Sequence, residues 1–146
     1  MDIDAIMTRH IVSVSMDDNL KTIRKLFHSE QFHHLLVMES DRQLAGIISD
    51  RDFFRAISPN ASKDCACAKD LATLNKKAHQ IMSRHPVVLQ SGTSVETAIR
   101  VLVKHSLSCL PVVDTQGIAV GIVSWKDILR YMTLLKIPAA RTADSA

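Results

Sequence analysis

Apolar side chains fall at helical spacing in two matching stretches of this chain. Leu20, Ile23 and Phe27 sit at i, i+3 and i+7, and Val95, Ala98, Ile99 and Leu102 at i, i+3, i+4 and i+7. Each set forms one buried stripe of an amphipathic helix. Thr93-Ser94-Val95-Glu96 offers a capping box with the Thr93 hydroxyl as cap, and Asp17 and Asp18 are cap candidates for the earlier helix. Leu35-Leu36-Val37-Met38 and Leu110-Pro111-Val112-Val113 are continuous apolar runs too short for helices, which predicts strands buried on both faces. Asp114-Thr115-Gln116-Gly117 is a turn into Ile118 to Ser124, giving a hairpin, and Trp125 to Leu135 follows as helix. Short extended pieces, Ile11 to Val14 and Val87 to Leu89, precede the two amphipathic helices. Between them Ser58 to Lys69, with Pro59, Asn60 and Ser62, is a connecting loop, and Leu71, Leu74, Ala78 and Ile81 have the spacing of one short helix.

The two halves are copies of one another. Ile6-Met7-Thr8-Arg9-His10 returns as Ile81-Met82-Ser83-Arg84-His85, an offset of 75 that holds without a gap from Ile6 to Arg55, with 13 identities over those 50 positions. Two units are too few for an open solenoid, so they must pack on each other. The expected organisation is a first repeat over 1–58, a connecting loop and short helix over 59–78, a second repeat over 79–135 and a flexible tail over 136–146.

Composition narrows the function classes. The chain has 146 residues, 47% hydrophobic and 23% charged, as expected of a single globular body. Lys+Arg 18 against Asp+Glu 15 give +3, but the charges are interspersed, without the run that would follow a phosphate backbone. Aromatics at 4% leave little for stacking on single strands, which sets a nucleic-acid module last among the alternatives. Cys65, Cys67 and Cys109 are an odd number, and the chain opens on Met1-Asp2-Ile3-Asp4 where a signal peptide would be basic and then apolar. No apolar stretch approaches the roughly 20 residues of a membrane span. The expectation is a soluble, reduced, cytoplasmic protein away from the membrane.

Catalytic parts are missing from the sequence: it carries no Gly-rich phosphate loop, zinc-protease helix motif or nucleophile elbow. His28, His33, His34, Cys65 and Cys67 lack the paired spacing of a metal site, so neither a metal nor a catalytic cofactor is expected. What recurs is Gly-Ile-apolar-Ser-x-basic-Asp, as Gly46 to Asp52 and Gly121 to Asp127. Two readings stay open. Ser and Asp three residues apart make a helix cap, and they also put a hydroxyl, a carboxylate and a neighbouring base at a helix N-terminus, where an anion is favoured. Hydroxyl, carboxylate and base together match the polar inventory of a nucleotide.

Met-Thr/Ser before an extended piece, an amphipathic helix, an apolar run ending Leu-Pro-Val-Val-Asp and then Gly-Ile-Val-Ser-x-x-Asp resembles the cystathionine-beta-synthase (CBS) domain. Two tandem copies resemble a CBS pair, or Bateman module, over residues 1 to about 135. The resemblance implies an α+β (α/β) fold of two domains, each β-α-β-β-α, packed sheet to sheet about a pseudo-twofold axis with adenosine derivatives in two clefts between them. It places the ribose-binding Asp at Asp52 and Asp127, the phosphate-contacting Ser at Ser49 and Ser124, and the base near the phosphates at Arg51 and Lys126. Base-contacting positions fall on Val12 and Val87, on His34-Leu35 and on Cys109-Leu110-Pro111. The first copy departs from the pattern by carrying Leu36 in place of Pro111 and His33-His34 in place of Ser108-Cys109.

The expected function is a non-enzymatic, stand-alone regulatory module that binds AMP, ADP or ATP, or else NAD or S-adenosylmethionine, and regulates an unidentified partner protein. The alternative is a ligand-independent interaction or dimerisation module. Helix surface at Leu26, Phe27, Leu129, Tyr131, Met132 and Leu135, together with the family's stacking of two pairs into a disc, implies a homodimer.

Overall fold

The structure is a computed structural model and describes residues 1–29, 33–61 and 63–135; the tail expected over 136–146 lies outside the described residues. A 3₁₀ turn over Ile3–Ala5 leads to β1 (Ser13–Ser15), α1 (Leu20–Ser29), β2 (His34–Met38), β3 (Leu44–Ser49) and α2 (Asp50–Ala56). The connection holds α3 (Ala68–Ala72), a 3₁₀ turn (Thr73–Asn75), α4 (Ala78–Ile81) and β4 (Ser83–Arg84). The second copy repeats the order with β5 (Leu89–Gln90), α5 (Val95–His105), β6 (Cys109–Val113), β7 (Ala119–Ser124) and α6 (Trp125–Leu134). Each copy is the expected β-α-β-β-α unit.

Two local expectations need correcting. The helix caps are Asn19, whose Oδ1 accepts from the Thr22 amide at 3.0 Å, and Ser94, whose Oγ accepts from the Thr97 amide at 3.2 Å. Asp18 instead accepts from the Ser15 amide, and the Thr93 hydroxyl donates back to the Gln90 carbonyl. Residues 71–81 are not one helix, because Lys76 turns extended and its carbonyl accepts from the Leu20 amide, across to the first copy.

In one sheet β1 pairs parallel with β2, and β2 and β3, then β3 and β4, pair antiparallel; in the other β5, β6 and β7 repeat the first three. Alternation along β2 turns Leu35 and Val37 into the core under α1 and α2, while Leu36 is buried on the opposite face. In β6, Leu110 and Val112 face the second core and Pro111 is buried opposite. Leu36 and Pro111 therefore lie where the two sheets pack.

The copies trade their leading segments. Ile3 and Met7 are buried in the second copy's core beside Leu89, Leu102 and Ile128, while Ala78 and Met82 are buried in the first copy's core beside Leu20, Ile23 and Phe53. The trade follows the 75-residue offset. Val95 N donates to Met1 O as Leu20 N does to Lys76 O, and Ile3 N to Thr93 O as Ala78 N does to Asp18 O. Thr8 bridges Ile122 as Ser83 pairs with Ile47. Asp4 fastens the first leader further: its carboxylate accepts from Ser91 Oγ and the Gly92 amide, each at 2.6 Å, and these bonds hold it below the usual carboxylate range.

The trade explains one repeated glycine. A Cβ on Gly46 would lie 2.6 Å from Met82 Sδ and 2.7 Å from the Ser83 carbonyl oxygen, and one on Gly121 would meet Met7 and the Thr8 carbonyl. The two motifs that recur in the sequence thus press on each other across the copies. Met82 can shift, but the Ser83 carbonyl is fixed by the β3–β4 pairing. Gly46→Ala is expected to cost about 1–3 kcal/mol and lower the melting temperature by about 2–12 °C. An unchanged melting curve would refute this packing.

Candidate functional site

Ser49 closes β3 and Asp52 sits in the first turn of α2; Ser124 and Asp127 repeat the arrangement at β7 and α6. Both pairs are reciprocal caps. Ser49 Oγ accepts from the Asp52 amide at 3.1 Å while Asp52 Oδ2 accepts from the Ser49 amide at 2.9 Å. Asp127 Oδ2 accepts from the Ser124 amide at 2.8 Å and from Ser124 Oγ at 2.7 Å. The capping reading is thus realised at both positions, and it leaves the second carboxylate oxygen of each Asp outside the cap. At Asp127 that oxygen lies 3.7 Å from an Arg130 guanidinium nitrogen. Asp127 is buried, and Asp52 is half-buried.

Both Ser/Asp pairs open into a cavity of about 950 Å³ between the copies. Its walls follow the repeat: Ser49 and Ser124, Arg51 and Lys126, Asp52 and Asp127, Arg55 and Arg130, Thr8 and Ser83 contribute as matched pairs. That volume lies at the upper end of small-ligand pockets. Of the other expected positions, Val12, His34 and Cys109 also line it. Leu35 and Leu110 do not, because their side chains fill the two cores; Val87 packs against the second core and Pro111 lies between the sheets. Leu36 takes up the wall instead.

The matched positions differ where the first copy carries histidines. His33 Nδ1 lies 3.0 Å from Asp50 Oδ2, and His34 Nε2 lies 3.2 Å from Ser108 Oγ, joining the copies across the cavity. Burial pushes the His34 pKa down, opposed by the nearby Asp50 charge. In the second copy Cys109 stands in the place of His34, and burial, helped by the Asp127 charge, pushes its thiol up to about 12. Cys109 is therefore a protonated apolar wall, not a nucleophile.

The His34 shift predicts a pH effect. The folded value lies below the ordinary 6.5 or so, so the unfolded chain takes up the proton first, and this contribution to stability is present above that pH and lost as pH falls towards the folded value. The melting temperature is expected to fall between about pH 7.5 and pH 5.5, and to fall less in His34→Gln. Superimposable pH profiles for the two proteins would exclude His34 as the cause.

Sequence reasoning missed Arg55, Arg130, Trp125 and Asp50 as wall residues. Arg55 and Arg130 carried a signal, being identical across the repeat one turn after each Asp. Trp125 carried none, since its counterpart is Asp50. Among the described residues no group of three or more His, Cys, Asp or Glu could hold a metal ion, and no helix is long and apolar enough to cross a membrane.

The CBS domain family matches this chain twice, over residues 3–59 and 78–134. Homoserine O-acetyltransferase of Methanococcus vannielii is 24% identical over 132 residues, which cover 90% of this chain and 25% of the enzyme, so the chain spans about a quarter of that relative. Among solved structures, CBSX2 of Arabidopsis thaliana in complex with AMP superposes with a TM-score of 0.76 at 23% identity, covering 92% of this chain and 97% of that one. The CBS domain pair of protein MJ0100, in complex with 5′-methylthioadenosine and S-adenosyl-L-methionine, gives 0.76 at 23% identity over 93% and 98%. At such identity the likeness is one of fold, and it agrees with the two traded β-α-β-β-α units described above. With both family matches falling on the two repeats, the chain belongs to the CBS domain family and carries a tandem pair.

Proposed function

We propose that this pair is a regulatory module that binds an adenosine-type ligand in the cavity between its copies and carries no catalysis of its own. One observation carries the reading: two Ser/Asp pairs and their neighbouring bases, matched by the repeat, face a cavity whose walls come from both copies. A ligand touching both walls binds one relative packing of the copies better than another and so shifts the affinity for a partner protein. The adenosine ligands of the two fold neighbours support the choice of ligand. The thiols of Cys65, Cys67 and Cys109 are all free, which fits a reducing cytoplasm. Calorimetry against AMP, ADP, ATP, NAD and S-adenosylmethionine tests the reading. Saturable heat with at least one of them is expected; no heat and no thermal shift with any would overturn it in favour of a ligand-independent interaction module.

The second part of the proposal is a homodimer. Leu129, Met132 and Leu135 are about half exposed on α6 and just beyond it, beside an apolar groove lined by Ile99, Val103 and Leu107, whereas Leu26, Phe27 and Tyr131 are half-buried against the cores. Sedimentation at micromolar concentration is expected to give twice the chain mass. A monomer mass at that concentration would reject the dimer.

A further inference from the structure

Two of the three cysteines lie outside both cores and the cavity. Cysteine is ordinarily among the most buried residue types, and Cys109 follows that habit, yet Cys65 and Cys67 are both exposed, two positions apart in the connection between the copies. Two residues of chain span at most about 7 Å, so their Cα atoms stand close to the roughly 4.4–6.8 Å that a disulfide bridges. Ala66 between them brings no bulk to oppose the turn. A ring closed over so few residues is strained, and strained or exposed disulfides are the easily reduced ones. The pair therefore suits a bond that forms and breaks rather than a permanent staple.

The Cys67 thiol touches the hub of the connection. Its Sγ donates to Asp70 Oδ2 at 3.2 Å, beside the Cys67 amide at 3.1 Å, while Asp70 Oδ1 accepts from Ser58 Oγ at 2.6 Å. These donors, the Ser58 hydroxyl most of all, hold the Asp70 carboxyl below the usual carboxylate range. The Ser58 amide donates to Thr73 Oγ1 at 3.0 Å, which in turn donates to the Asp70 carbonyl at 2.7 Å. Ser58 follows closely on α2, the helix whose first turn carries Asp52. The state of the sulfur is thus felt where the connection leaves the first copy.

We propose that Cys65 and Cys67 form a redox-modification site that a peroxide closes into a disulfide and a dithiol reopens. One thiol attacks the peroxide, giving a sulfenic acid and a water; the other thiol attacks that sulfur, the S–S bond forms and a second water leaves. Two thiols and one hydrogen peroxide give one disulfide and two waters. Closure takes the Cys67 hydrogen from Asp70. A bridge over so short a loop restricts the unfolded chain little, so the lost bond and the ring strain decide the sign of the stability change.

The test treats the full reduced chain with a small excess of hydrogen peroxide. Two of the three thiols are expected to disappear, with a mass decrease of about 2 Da confined to the peptide holding Cys65 and Cys67. The chain should stay single on a non-reducing gel, melt about 2–4 °C lower, and return to its starting state with dithiothreitol. Cys65→Ser and Cys67→Ser should each abolish the mass decrease, and Cys109→Ala should keep it. All three thiols intact, oxygen added to one sulfur without a bridge, a bridge between two chains, or a mass decrease that survives Cys65→Ser would each overturn the site. An unchanged melting temperature after bridging would overturn the link through Asp70.

Discussion

Ile3→Ala is expected to destabilise the whole protein by about 2–5 kcal/mol, and Ile3→Ala with Met7→Ala to leave it largely unfolded. Both side chains lie in the second copy's core, Ile3 with no exposed surface at all. Truncation removes the transfer energy and leaves a cavity that β6 and α5 can fill only partly. The sum for the pair approaches the 5–15 kcal/mol that a typical domain has in total. Position along the chain would suggest a mild effect, since terminal residues usually tolerate change. Burial argues otherwise. Thermal denaturation checks it: the single variant should melt about 4–20 °C lower, and a loss under 2 °C would mean that the leader does not sit in that core.

Asp127→Ala is expected to weaken ligand binding by about 10- to 150-fold. A ribose diol donating to the Asp127 carboxylate would make charge-assisted bonds worth about 1.5–3 kcal/mol, and Asp127 is 8% exposed, so little water can replace them. The same change removes a reciprocal cap, which costs about 0.5–2 kcal/mol of stability without touching binding. The two roles separate in the readout: affinity by calorimetry, capping by melting temperature. Asp52→Ala is the matched change in the more exposed half, where Leu36 and His34 also crowd the wall, and a smaller loss is expected there. Equal losses would mean that both halves hold ligand alike. Unchanged affinity in both variants with lowered melting temperatures would return Ser-x-x-Asp to capping alone.

The fold was largely legible because two signals agreed. Stripes at Leu20 and Val95 named the helices, apolar runs at Leu35 and Leu110 named the strands, and the 75-residue offset forced a shared architecture. What stayed hidden is what a pattern along one chain does not encode. Ile6-Met7-Thr8 aligned with Ile81-Met82-Ser83, but an alignment of copies cannot distinguish a leader packed on its own copy from one packed on the other. Caps shifted by a residue, from Thr93 to Ser94 and from Asp18 to Asn19, because neighbouring polar side chains compete for the same amides. At the site, the motif found the Ser/Asp pairs and their bases. It also named Leu35 and Leu110, whose side chains strand alternation turns into the two cores and away from the cavity.

The traded leaders also set an order of events during synthesis. The first core lacks Ala78 and Met82 until the connection between the copies has left the ribosome, and the second core must wait for α6 before Ile3 and Met7 find their places. Contacts between residues some ninety positions apart, such as Ile3 with Thr93, slow folding, because a long loop must close before it is rewarded. One copy alone would have no leader in its core but its own, joined at the wrong place. Such a fragment could complete itself only by exchanging leaders with a second identical fragment, as a domain-swapped twofold dimer, and the tandem chain is that dimer made covalent.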